Sequence, residues 1–193
     1  LRYCWNYFRH AVRTQFQLHR LKRFYSKNAP EFVSLSSSRE TFPIVFFAHL
    51  QPEAATCPNA DLYHDARMIA RELQDKGFTV YYKEHPLSFV RSISTNINIT
   101  SIYKSAQFYK DLLAMGVRFI PSDTDNNFLL ETFNQVATCT GTISLQAVLK
   151  GLPSVVFGAP WYMDMPGTIT ARDGLQMTAQ QIQNIEIPDH SQI

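Results

Sequence analysis

From Pro43 onward, five short apolar runs alternate with stretches whose apolar residues recur at helical spacing. No other feature of the chain restricts its fold as much. The runs are Ile44–His49, Phe78–Tyr82, Val117–Pro121, Gln135–Cys139 and Pro153–Phe157. Between the first two, Leu62, Ala66, Ile69, Ala70 and Leu73 mark a helix, and further helices are expected over Ala106–Met115, Asn127–Phe133 and Ser144–Lys150. Three helices end alike, at Lys76-Gly77, Met115-Gly116 and Lys150-Gly151, each just before a strand. Glycine there supplies the left-handed residue that closes a helix, and a preceding lysine suits the helix's negative end. Apolar strands joined through helices require crossover connections, so the expected fold is an α/β, doubly wound parallel sheet of Rossmann-like type. In such sheets ligands bind beyond the carboxyl ends of the strands, which directs attention to the residues after each run.

The segment before this alternation differs in character. Residues 1–30 hold Arg2, Arg9, Arg13, Arg20, Lys22, Arg23 and Lys27 and no acid, leaving 11 bases against 16 acids in the rest. Residues 1–25 read as a basic helix carrying Trp5, Phe8, Phe16, Leu18, Leu21 and Phe24, followed by a polar hinge over Ser26–Glu40. The expected organisation is therefore a basic helix and linker over 1–40 and a ligand-binding domain over 41–193. Such a helix suits either an anionic membrane surface or a partner domain outside this chain. The abrupt start and end suggest an excised piece of something larger. No recognisable nucleic-acid-binding module is present. No run of 18 apolar residues exists, and Cys4, Cys57 and Cys139 form no CxxC pair. A cytoplasmic location, with contact to the inner membrane through the helix at most, is the expectation.

Chemistry-bearing residues do follow the runs. After the first comes His49-Leu50-Gln51-Pro52-Glu53, where Glu53 is either a base or a solvated residue of a turn fixed by Pro52. After the second, Tyr82-Lys83-Glu84-His85-Pro86 sets three ionisable side chains in a row. His85 can donate to a phosphate, Pro86 fixes the backbone behind it, and Lys83 or Glu84 can pair internally to orient the imidazole. A surface histidine at a loop start is the plain alternative. After the fourth, Thr140-Gly141-Thr142 opens into a helix bearing Ser144 and Gln146, an arrangement suited to an anion, although Thr142 as a simple helix cap predicts the same residues. After the fifth, Gly158 permits close backbone approach, and Trp161 and Tyr162 offer either stacking faces or ordinary packing. No metal and no bound cofactor are expected.

Taken in order, Gln51-Pro52-Glu53, Lys83-Glu84-His85-Pro86, Thr138-Cys139-Thr140-Gly141-Thr142 with Ala147 and Gly151-Leu152-Pro153, and Phe157-Gly158 with Trp161-Tyr162 resemble the capsule polysaccharide biosynthesis family. That family includes Kdo transferases, and the resemblance covers roughly residues 42–168. It implies the donor-binding half of a GT-B glycosyltransferase acting on a nucleotide-sugar, CMP-linked Kdo among the candidates. A glycan or glycolipid would be the acceptor, held largely by an amino-terminal domain outside this chain. Carried over by residue, His85-Pro86 would meet the donor's phosphate together with Lys83. Thr140, Gly141 and Thr142 would hold phosphate or ribose, with Ser144 and Gly158 nearby. His85 and Glu53 would be the groups closest to the chemistry. Many such enzymes place a glutamate on the following helix to bind ribose, where this chain has Gln146. A nucleotide-sugar epimerase and a non-catalytic binding or scaffold module are the competing readings.

Overall fold

The computed structural model describes residues 2–30, 42–49, 65–89, 104–171 and 174–187. Within them the chain runs α1 (Arg2–Asn28), β1 (Pro43–Phe47), α2 (Ala66–Asp75), β2 (Thr79–Lys83), a 3-10 turn (Pro86–Phe89), α3 (Ala106–Ala114), β3 (Arg118–Ile120), α4 (Asn126–Thr132), β4 (Val136–Thr138), α5 (Ile143–Leu149), β5 (Ser154–Val156), β6 (Thr168–Thr170) and α6 (Ala179–Gln183). All six strands are parallel, in the order β3-β2-β1-β4-β5-β6. The five expected runs are β1 to β5, trimmed at their ends because Ala48 and His49 leave the ladder while Lys83 stays in it. Gly77, Gly116 and Gly151 have φ of 95°, 79° and 78°, the left-handed closures anticipated from sequence.

Strand alternation divides the core between two faces. Ile44, Phe46, Val80, Tyr82 and Phe119 pack with Ile69 and Leu73 of α2, Phe108, Tyr109 and Leu112 of α3, and Ile182 of α6. Val45, Phe47, Tyr81 and Ile120 pack on the opposite side with Leu129 and Leu130 of α4 and Ile143 and Ala147 of α5. The sheet is therefore doubly wound, and burial on both faces is why its strands read as near-continuous apolar runs. None of the helices among the described residues is long and apolar enough to cross a membrane.

Two elements escaped the periodicity. The strand β6 is only three residues long and extends the sheet beyond β5, pairing Ser154 with Thr168. The helix α6 is only five, yet it carries a capping box in which Thr178 and Gln181 each bond the other's backbone. That T-x-x-Q spacing is a legible start signal. Leu62, expected in the first crossover helix, lies outside the described residues, and the helix opens instead after Asp65, whose carboxylate accepts from Arg67 N–H.

The basic helix departs further from expectation. It continues to Asn28, three residues into the expected Ser26–Glu40 hinge, of which residues 31–40 lie outside the described ones. Its residues Thr14, Leu18, Leu21 and Tyr25 are buried at a spacing that forms one stripe. Leu21 and Tyr25 belong to the same core cluster as the sheet, so this half of the helix covers the chain's own domain. Tyr25 is fully buried, stacked on Phe119 with centroids 5.0 Å apart. Its hydroxyl donates to the Ile120 carbonyl (2.6 Å) and accepts from the Glu84 N–H (3.0 Å). Replacing Tyr25 by Phe keeps the packing and orphans both backbone groups. We expect a loss of about 1–3 kcal/mol in urea unfolding at neutral pH, and an unchanged midpoint would contradict the anchoring role.

Candidate functional site

Because β4 returns to pair with β1 after β2 and β3 have built outward, the strand order switches direction between β1 and β4. Connections on the two sides then diverge and leave a crevice at the strands' carboxyl ends. A cleft of about 430 Å³ lies there. It is lined by His49 after β1, by Lys83, His85 and Pro86 at the end of β2, and by Thr140, Gly141 and Thr142 after β4.

The three consecutive ionisable residues at the end of β2 go to three environments. Lys83 continues the strand's alternation onto the face of Phe47 and lies 5.9 Å over that ring. It is buried, and its ammonium reaches the Ser122 carbonyl at 3.2 Å. Burial lowers its pKa from the usual lysine value, against the raising influence of Asp123, Glu84 and Asp125. Asp125 is itself committed, capping α4 by accepting from Phe128 N–H.

Glu84 turns to the opposite face and is completely buried. Its Oε1 accepts from Lys104 Nζ (2.6 Å), Ser88 Oγ (2.8 Å) and the His85 N–H (2.8 Å). Its Oε2 accepts from Tyr82 (2.8 Å) and Tyr109 (2.6 Å). Burial pushes its pKa up, but Lys104 and the tyrosine hydroxyls more than reverse this and leave it below the ordinary value. A carboxylate with five donors on it is a structural anion and has no lone pair to spare for proton transfer. His85 is half-buried, and its Nδ1 accepts from Leu87 N–H at 3.2 Å, which leaves the ring proton of the neutral form on Nε2.

The facing wall is the turn after β4. Thr140 N–H donates to His49 Nε2 at 3.1 Å, so that nitrogen carries the lone pair. The Thr138 hydroxyl stands 3.0 Å from the same nitrogen and 3.2 Å from the Phe47 carbonyl. Tyr162 donates its hydroxyl to the Gly141 carbonyl, holding the turn from the other side. Thr142 is exposed and makes no capping hydrogen bond, so the plain helix-cap reading does not hold. Thr140 lines the cleft, and its Oγ1, buried within the wall, has no hydrogen-bond partner among the described residues. Buried hydroxyls in native structures are usually satisfied, so this one is an exception beside the cleft.

Of the residues singled out from sequence, Lys83, His85, Pro86, Thr140, Gly141 and Thr142 come together on this cleft. Ser144 does not line it, since its buried hydroxyl is bonded by Ser154 at 2.6 Å. Gln146 is exposed on α5 away from the lining, and Gly158 is buried with its N–H on the Cys139 carbonyl. Trp161 is 80% exposed, and Tyr162 is buried with its hydroxyl raised to about 12 by desolvation. Glu53 lies outside the described residues. The residues that sequence did not single out are His49 and Lys104. His49 follows the same rule as His85, each lying two residues beyond the last residue of its strand. Lys104 sits outside any motif.

Over residues 66–187 the chain matches the family described as capsule polysaccharide biosynthesis protein. No curated protein matches it. Among solved structures it is similar to Thermosulfurimonas dismutans KpsC, beta Kdo 2,7 transferase. There the identity is 12% and the TM-score 0.49, over 88% of this chain and 51% of that one. It is also similar to the same organism's KpsC, beta Kdo 2,4 transferase, at 14% identity and a TM-score of 0.47, over 90% and 55% of the two chains. The chain thus spans about half the length of either structure.

Gly141 is fixed by crowding. A Cβ there would stand 2.9 Å from Thr138 Oγ1 and 3.3 Å from the His49 ring. Both neighbours are held by hydrogen bonds, so Gly141→Ala is expected to destabilise by about 1–3 kcal/mol, the cost of overpacking. It should also displace His49, seen as a shift of that imidazole in histidine side-chain NMR. Wild-type stability together with an unmoved His49 signal would show that the turn yields freely.

Proposed function

This chain belongs to the capsule polysaccharide biosynthesis protein family, and from that premise we propose that it is the nucleotide-sugar-binding half of a GT-B glycosyltransferase. The observation that carries the reading is the meeting of His85 and the Thr140–Thr142 turn across one cleft at the switch in strand order. A buried lysine, an imidazole N–H on Nε2 and a buried hydroxyl without a partner together suit a phosphate-bearing ligand.

On this reading the bond that breaks joins the sugar's anomeric carbon to the donor's phosphate oxygen, and the bond that forms joins that carbon to an acceptor hydroxyl. Negative charge gathers on the departing phosphate, where Lys83, His85 and the Thr140–Thr142 turn stabilise it. The acceptor's proton leaves to a base, for which Glu53, set near the chemistry by the family resemblance, is the candidate. The acceptor itself, a glycan or glycolipid, would be bound mainly by the other half of the enzyme. This half alone should bind donor and turn it over poorly, because transfer needs both reactants held in register.

The same reading places the protein in the cytoplasm against an anionic membrane. On α1 the pole opposite the buried stripe exposes Val12 and Phe16 among Arg13, Arg20, Arg23 and Lys27, with Arg20 over the Phe16 ring at 5.9 Å. Interleaved cations and apolar side chains suit an anionic bilayer surface. The chain should co-sediment with vesicles containing phosphatidylglycerol and be released by 0.5 M salt, an ionic strength chosen to screen these charges. Equal retention on neutral phosphatidylcholine, or none on either, would remove the membrane from the reading.

Calorimetric titration with CMP, UDP and GDP tests the nucleotide site. We expect one of them to bind, CMP being the favoured candidate, and His85→Ala to weaken it about tenfold or more, the loss of a hydrogen bond to a charged group. Unchanged affinity in His85→Ala removes the phosphate role. Failure of all three nucleotides to bind the wild type favours a scaffold module.

A further inference from the structure

We infer that Lys104 and Glu84 form a positioning pair that sets the two histidine-bearing walls of the cleft against each other. The inference rests on the proposed nucleotide site and names residues that act on it from beneath. Lys104 is 4% exposed and lies off the cleft lining, and Glu84, though it lines the cleft, is fully buried with both carboxylate oxygens committed to donors. Their contacts are what matter. Lys104 Nζ donates at once to Glu84 Oε1 (2.6 Å) and to the main-chain carbonyl of His49 (2.8 Å). Glu84 Oε1 in turn accepts the His85 main-chain N–H (2.8 Å) and the Ser88 hydroxyl (2.8 Å), fixing the turn that carries His85 and Pro86. One ammonium therefore ties the loop after β1 to the turn after β2.

The reach of the pair extends to the third wall. His49, held at its carbonyl by Lys104, accepts the Thr140 N–H with its ring and stands against Gly141. Displacing the His49 backbone would withdraw the acceptor from Thr140, a residue that neither Lys104 nor Glu84 touches. A buried ion pair is not an economical source of stability, since well-packed apolar residues commonly do as well. Its gain here is geometric. It fixes His49, His85 and the Thr140 turn relative to one another before any ligand arrives, and preorganisation of this kind lowers the cost of binding.

The test removes both charges together, because removing one would leave the other buried and alone. The double variant Lys104→Met with Glu84→Gln should fold but melt below the wild type, because an amide has one acceptor oxygen for donors that now share two. Its Thr140 amide should exchange with deuterium about tenfold faster or more, through loss of the His49 acceptor. Its affinity for CMP, or for whichever of CMP, UDP and GDP binds the wild type best, should fall about tenfold or more. A folded double variant with wild-type Thr140 exchange and wild-type affinity overturns the inference. Tyr109→Phe serves as the second variant, removing a donor from Glu84 Oε2 without touching Lys104 or His49. It should lower stability and leave Thr140 exchange unchanged. If Tyr109→Phe accelerates Thr140 as much as the double variant does, the effect is general loosening and the inference fails. If the wild type binds no nucleotide, the site reading fails instead, and the exchange measurements still decide whether the pair positions His49.

Discussion

Everything near the cleft depends on a carboxylate that has been taken wholly out of water. Stripping solvent from Glu84 is costly by several kcal/mol, and only a close cation with further donors can offset it. The chain supplies them from four places: Lys104 ahead of α3, Tyr109 on α3, Tyr82 on β2, and Ser88 in the turn that follows. Burial is the largest influence on its proton affinity, yet the donors together outweigh it and keep the anion charged. The Glu84 N–H is held by Tyr25, so α1 joins the same assembly. The amino-terminal half of the core, the sheet and the base of the cleft are thus one set of mutually dependent contacts.

That dependence explains an oddity of the sequence. Three ionisable residues in a row at the end of a buried strand should be unfavourable. Pleating separates them: Lys83 falls on the Phe47 side, Glu84 on the Tyr82 and Tyr109 side, and His85 passes beyond the sheet to the cleft. Each meets a different solution, a carbonyl with a ring face, a cage of donors, and partial solvent. A single-residue slip of β2 against β1 would exchange the first two and strand Glu84 among Leu129, Leu130 and Phe133. Register in this sheet is therefore specified by charge as well as by apolar pattern.

The fold was legible because parallel strands buried on both faces leave long apolar runs, and because helices that stop before a strand advertise it with glycine. The cleft was legible for a related reason: parallel strands deposit their carboxyl ends on one side, so residues far apart in sequence become neighbours by topology. What could not be read was pairing. Lys104 lies 20 residues from Glu84 and 55 from His49, and nothing in its local sequence distinguishes it from a solvated lysine. Tyr25 lies 95 residues from the Ile120 carbonyl it bonds. Ser144 looked like a donor for a ligand, but its hydroxyl meets Ser154 across the packing of α5 on β5. Thr142 does stand at the cap position of α5, but its side chain makes no capping bond there. Periodicity reports which face a residue takes and is silent about which partner waits there.

The cleft is also the place where the domain leaves electrostatic debts of its own unsettled. Lys83 holds a charge that burial disfavours, with the Ser122 carbonyl at 3.2 Å and acids on the neighbouring loop as partial compensation. Thr140 keeps a buried hydroxyl without a partner. Among the described residues Gln135 Oε1 and Thr168 Oγ1 share that lack, but neither residue lines the cleft, and Glu84 and Lys104 are tied up with one another. An anion between the walls would address both deficits together, raising the proton affinity of Lys83 and giving Thr140 an acceptor. The residues that would gain most from such a ligand are thus held in place by a network that is already saturated and has nothing to gain. Separation of this sort lets a site stay rigid while remaining receptive, because the groups that fix its shape are not the groups that meet the ligand.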